Sequence, residues 1–157
     1  MYSLSPYEGT LALAEESGII VDTMHRSSVV PAAALTYNGV TCVFIDETQY
    51  VSEVERKYVV IHEIGHCKTG MFYNDNTPYF DRQRIEYRVN MWEVPEHIPF
   101  EEYCMTILDG CLEEWEQSER WNVPQWFVPT VHRVYESTRW DDVQKLKRDA
   151  AELWSYV

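Results

Sequence analysis

Tyr58-Val-Val-Ile-His62-Glu63-Ile-Gly-His66 is the stretch on which the reading of this chain turns. Val54, Tyr58, Ile61 and Ile64 or Gly65 recur at helical spacing, and Ser52-Glu53-Val54-Glu55 ahead of them is a capping box. A helix should therefore start there and stop at Thr69-Gly70. On it His62 and His66 leave one face a turn apart, so two neutral imidazoles can hold one Zn²⁺. Glu63 is a quarter-turn round, where a carboxylate can serve as base beside the metal without ligating it. The plainer reading is a helix that carries two histidines for packing or solubility.

Two histidines leave zinc under-coordinated, because a catalytic site usually has three protein ligands and an open position. The pattern His-Glu-x-x-His-x-x-Gly-x-x-His is excluded, as Thr69 and Phe72 stand where its glycine and third histidine would be. A glutamate from the next helix is the other solution. Asp81 can cap that helix, expected over 82–93, with Ile85, Val89 and Trp92 as its core stripe and Pro95 as its end. Glu86 is the natural ligand candidate, with Glu93, Glu96 and His97 as rivals beside the proline. Asn90, one turn beyond Glu86, sits where it can hydrogen-bond a ligand imidazole and fix its tautomer.

Around this centre the chain reads as α+β and mostly helical. Ser5-Pro6-Tyr7-Glu8 is a capping box for a first helix ending near Gly18, with Tyr7, Leu11 and Ala14 inward. Residues 18–21 look like a short buried strand. Residues 33–37, Asn38-Gly39 and 40–45 form the best hairpin, since Asn-Gly supplies the positive φ angles of a type I′ turn. The expectation is a small antiparallel sheet packed beside the metal helix, whose edge can receive an extended peptide. Residues 71–80 read as a loop. From Phe100 a 3–4 repeat runs through Trp115 as one long amphipathic helix with an acidic face, weakened at Gly110. Pro124 opens another helix, kinked near Pro129. A last helix follows, with Trp140, Val143, Leu146, Ala150, Leu153 and Trp154 inward.

At 157 residues the chain is most simply one domain, with a metal-site half over 1–98 and a helical half over 99–157. With 26 acidic and 13 basic residues, its charge of −13 repels phosphate backbones and anionic membranes, so direct nucleic-acid and membrane binding are not expected. The first eight residues lack a basic stretch followed by an apolar one, and Cys42, Cys67, Cys104 and Cys111 form no Cys-x-x-Cys pair. Cys104 and Cys111 read as buried thiols and Cys67 as packing. The expected setting is cytoplasmic. His25 reads as a solvated loop histidine.

His62-Glu-Ile-Gly-His66, followed by Glu86-Tyr-Arg-Val-Asn90-Met-Trp-Glu and Ile98-Pro99, resembles the ImmA/IrrE-type metallopeptidases, zincin-like proteins common in bacteria and their mobile elements. Members tend to read Glu-x-x-Ala-Asn-x-Phe-Ala, so Val89, Trp92 and Glu93 depart from the pattern, in helix packing more than in ligation. The resemblance implies a zincin-like fold, His62, His66 and Glu86 as Zn²⁺ ligands, and Glu63 as general base. It implies an endopeptidase that cleaves a repressor or antitoxin-like transcriptional regulator, often encoded nearby in a phage or integrative element. Tyr50, Tyr79, Tyr87, His97 and His132 are all chemically able to face the oxyanion. Two alternatives stand beside the protease: a binding module that sequesters a regulator without cutting it, its zinc structural or vestigial, and a hydrolase of small amides.

Overall fold

The computed structural model describes residues 4–27 and 29–155; residues 1–3, Ser28 and 156–157 lie outside the described residues. These fall into two compact units, Met1–Glu93 and Val94–Val157.

The first unit opens with α1, Pro6–Glu16, started by the Ser5–Glu8 capping box. Strands β1 (Ile19–Asp22), β2 (Ala32–Tyr37) and β3 (Val40–Ile45) follow. Asn38 and Gly39 take φ of 49° and 79° and turn β2 into β3, pairing Tyr37 with Val40. The sheet is mixed, not antiparallel as expected: its order is β1-β3-β2, with β1 parallel to β3. The physical reason is that the chain leaves β1 and re-enters the sheet two positions away, as β2, leaving the β3 place between them. The hairpin's return strand then runs beside β1 in the same direction, and β2 becomes an edge.

Helix α2, Glu53–Thr69, has the Ser52–Glu55 capping box at one end and Gly70 at φ 67° at the other. It packs on the sheet face that carries Ile19, Val43 and Ile45, together with Tyr7 and Ala14 of α1. Two polar links fix how the chain enters α1: Glu53 accepts the Tyr7 amide at 3.1 Å, and the Tyr7 hydroxyl donates to Glu47 at 2.7 Å. Cys67 packs against the Ala14, Ile19 and Val43 cluster. His25 is half-buried, its ring centroid 4.3 Å from that of Phe44, so it is a packed ring and not a solvated one.

Helix α3 spans Tyr79–His97 and is longer than expected at both ends. The Pro78 carbonyl accepts the amides of Asp81 and Arg82, so Asp81 lies in the first turn and is not the cap. Arg82 ties the preceding loop to the helix by donating to the carbonyls of Thr77 (2.7 Å) and Asp75 (2.5 Å). Pro95 lies inside the helix. A proline removes one amide donor, but the next turn still closes, with the Ile98 amide on the Val94 carbonyl at 2.8 Å.

The second unit contains α4 (Phe100–Leu108), α5 (Glu114–Trp121), α6 (Val128–Thr138) and α7 (Trp140–Trp154). The single long helix expected from Phe100 to Trp115 is broken at Gly110, which sits at φ 85°. Gly110 and Cys111 donate their amides to the carbonyls of Ile107 and Thr106, a glycine-terminated helix end. A new capping box at Glu113–Glu116 then starts α5. Cys104 and Cys111 are half-buried and unpaired, on opposite sides of this break. A short 3₁₀ turn, Gln125–Phe127, precedes α6, which begins with Pro129 in its first turn. On α7, Val143, Leu146 and Ala150 are inward, whereas Trp140, Leu153 and Trp154 are 59, 52 and 40 % exposed, contrary to expectation. The Trp154 indole instead lies over Gly110, where an added Cβ would come within 2.5 Å of the ring.

Candidate metal centre

α2 and α3 bring three ligand-type side chains together. The His62 and His66 rings stand perpendicular, their centroids 4.9 Å apart. Glu86 reaches across from α3, one oxygen 2.9 Å from His62 Nε2 and the other 3.4 Å from His66 Nε2. One donor atom from each of the three lies within 4.8 Å of the others, so His62, His66 and Glu86 can hold a metal ion. Gly65 makes room for this approach. A Cβ there would sit 2.9 Å from Val89 Cγ1 and 3.6 Å from the Trp92 ring, so it is side chains of α3, not its backbone, that fill the gap.

The outer nitrogens of both imidazoles are occupied. His66 Nδ1 donates to the Met71 carbonyl at 2.6 Å, and His62 Nδ1 lies 3.0 Å from Glu93 Oε2. The expected partner, Asn90, does not fill this role: among the described residues these contacts come from Glu93 and Met71. Helix geometry explains the choice. Seven residues make nearly two full turns, leaving Glu93 about 20° from the azimuth of Glu86, whereas Asn90 is about 40° away on the other side.

This pattern tests whether a cation fits. Acceptors on the outer side place the protons on Nδ1, which leaves lone pairs on both Nε2 atoms. Those lone pairs face the Glu86 carboxylate, and its Oε1 is buried without a hydrogen-bond partner. Acceptors facing acceptors repel unless a proton or a cation stands between them. A divalent ion satisfies all three, and two imidazoles with one carboxylate suit a borderline metal. Without such an ion, protons must serve. Burial lowers the His62 pKa, but hydrogen bonds with Glu86 and Glu93 outweigh it and push the value up to about 10. Burial likewise opposes ionisation of Glu86, yet the His62 and His66 rings beside it hold it far below the usual carboxylate range.

Glu63 points into a cleft of about 280 Å³. One wall is Val30 and the edge strand's Ala32, Ala33 and Ala34; the other is the loop from Phe72 to Asp75, and His66 also lines the cleft. Burial raises the Glu63 pKa against the pull of both histidines, the Ala34 backbone adding a smaller pull toward the carboxylate. Tyr73, in the loop before α3, lines the same cleft. Its ring centroid is 5.8 Å from that of His66, burial and the neighbouring Glu86 carboxylate push its hydroxyl pKa up, and Arg82 stands over its ring at 5.9 Å. A tyrosine three residues past the helix-ending Gly70 was the available signal.

The other candidate oxyanion donors differ in setting. Tyr79 is 67 % exposed, His97 is exposed, and Tyr50 packs against the Tyr7, Ile45 and Val60 cluster. His132 belongs to a network of the second unit. Its Nδ1 lies 3.0 Å from the Tyr103 hydroxyl and its Nε2 lies 2.8 Å from Gln117 Oε1, while the Gln117 amide donates to the Cys111 carbonyl. Burial lowers the His132 pKa below 6.5, with Glu136 and Glu114 pulling it up and Lys147 pushing it down. An unfolded chain takes up this proton near 6.5, the folded one only at lower pH. The contribution to stability is thus fully present above that value and is lost as the pH falls below it. Replacing His132 by Gln is expected to flatten the pH dependence of urea unfolding between about pH 7 and 5. An unchanged slope would show that the folded imidazole is not depressed.

Comparison with protein-family models, with curated proteins and with solved structures found no match to this chain. Among the described residues, no helix is long and apolar enough to cross a membrane.

Proposed function

We propose that the chain is a zinc-dependent endopeptidase of the ImmA/IrrE type, zincin-like in fold and cytoplasmic, which cleaves a regulatory protein such as a repressor or antitoxin. The observation that carries this reading is the convergence of two Nε2 atoms and the Glu86 carboxylate beside Glu63, at a cleft walled by an edge strand. His62, His66 and Glu86 hold the ion. Bound zinc supplies Lewis acidity, lowering the pKa of water and polarising a carbonyl.

The remaining work falls to the chain's own groups. An extended peptide lies in the cleft along β2, where small side chains at Ala32–Ala34 let its backbone approach. Glu63 takes a proton from water as the hydroxyl oxygen bonds to the scissile carbonyl carbon. It then passes that proton to the departing nitrogen as the C–N bond breaks. The raised pKa of Glu63 suits a group that must both accept and return a proton. The Tyr73 hydroxyl is the donor placed to meet the charge developing on the carbonyl oxygen.

The test is to incubate zinc-loaded protein with a host lysate and read new N-termini by mass spectrometry, with and without chelator. A small set of new termini that needs the metal supports the reading. Capture of an uncut protein in a chelator-insensitive complex would overturn it in favour of sequestration.

A further inference from the structure

We propose that Glu93 is a positioning residue of the metal centre: its buried carboxylate holds His62 as the Nδ1–H tautomer and aims Nε2 at the ion. The inference rests on the metal-binding part of the function proposed above and is independent of proteolysis.

Glu93 is 0 % exposed, and among the described ion pairs its partner is His62, at 3.0 Å. A carboxylate out of water with no lysine or arginine beside it is costly to bury unless hydrogen bonds and a nearby cation compensate. The hydrogen bond comes from His62 Nδ1, at 3.0 Å. The cation would be a metal ion held by Nε2 of the same imidazole. Glu93 and His62 thus form a line from the core to the metal position, the carboxylate fixing the ring. A carboxylate accepting from the outer N–H also makes the ligating nitrogen a stronger donor. Core packing alone does not account for this arrangement, because an apolar residue would fill the same space without desolvating a charge.

The experiment measures zinc affinity by competition with a chromophoric chelator, alongside thermal unfolding and long-range ¹H–¹⁵N spectra of the histidine rings. Glu93→Met, apolar and of similar volume, is expected to bind zinc about 10- to 100-fold more weakly, the usual cost of losing such a partner. Glu93→Gln, which keeps an acceptor oxygen, should recover part of the loss even if the Met variant folds poorly. In wild-type zinc-loaded protein the His62 ring should carry its proton on Nδ1. Variants that bind zinc within twofold of wild type, or a His62 ring protonated on Nε2, would overturn the assignment. Failure of the wild type itself to bind zinc would instead sink the metal centre, and the two failures are read separately.

Discussion

Glu63→Gln is expected to bind zinc like the wild type and to lose peptide hydrolysis by about 10²- to 10⁴-fold, the range for removing a positioned general base. The substitution is nearly isosteric and keeps an acceptor oxygen in the same place. What it removes is the ability to take and return a proton. Zinc content and the rate of substrate cleavage, measured on the same preparation, separate the two effects. A variant with normal zinc that still cuts as fast as wild type would show that another group is the base.

The second large effect is expected at Glu86. Both of its oxygens face imidazole nitrogens, so Glu86→Ala deletes one of the three proposed protein ligands and leaves two. Zinc affinity should fall by more than about 10²-fold, beyond the 10- to 100-fold typical of outer partners such as Glu93. The same variant frees both histidines from the carboxylate that raises their pKa values, so their titration should move back down. Equilibrium competition for zinc and NMR titration of the two rings give both readouts. Undiminished affinity in Glu86→Ala would mean that the ion is held elsewhere.

Features set by neighbouring residues were legible in the sequence. The Ser5 and Ser52 capping boxes, the Asn38-Gly39 turn and the two histidines four apart all depend on contacts within a turn or two of backbone, and each is present. What depends on distant segments was not legible. No local signal states that β1 joins the hairpin in parallel, because that follows from where the crossover lands. Gly110 shows the limit of periodicity: the apolar repeat continues past it, yet the helix ends there because a left-handed glycine and two amide–carbonyl bonds close it.

At the site, Glu86 could be reached from spacing and resemblance. Glu93 stood beside Pro95 and read as a fraying end and a packing change. Its role appears only once α3 is seen to run on to His97 and to turn Glu86 and Glu93 toward the same imidazole. Tyr73 was hidden for the opposite reason. It lies in a loop, and its place beside Glu86 is set by Arg82, which ties that loop down.

X-ray absorption at the zinc edge of protein purified with one equivalent of the metal tests the central claim most directly. The account predicts a stoichiometric, four- or five-coordinate site with two imidazole signatures, light-atom ligands at about 2.0–2.1 Å and no sulfur. Sulfur at about 2.3 Å from any of the four cysteines, or a shell of oxygens without imidazole, would contradict it.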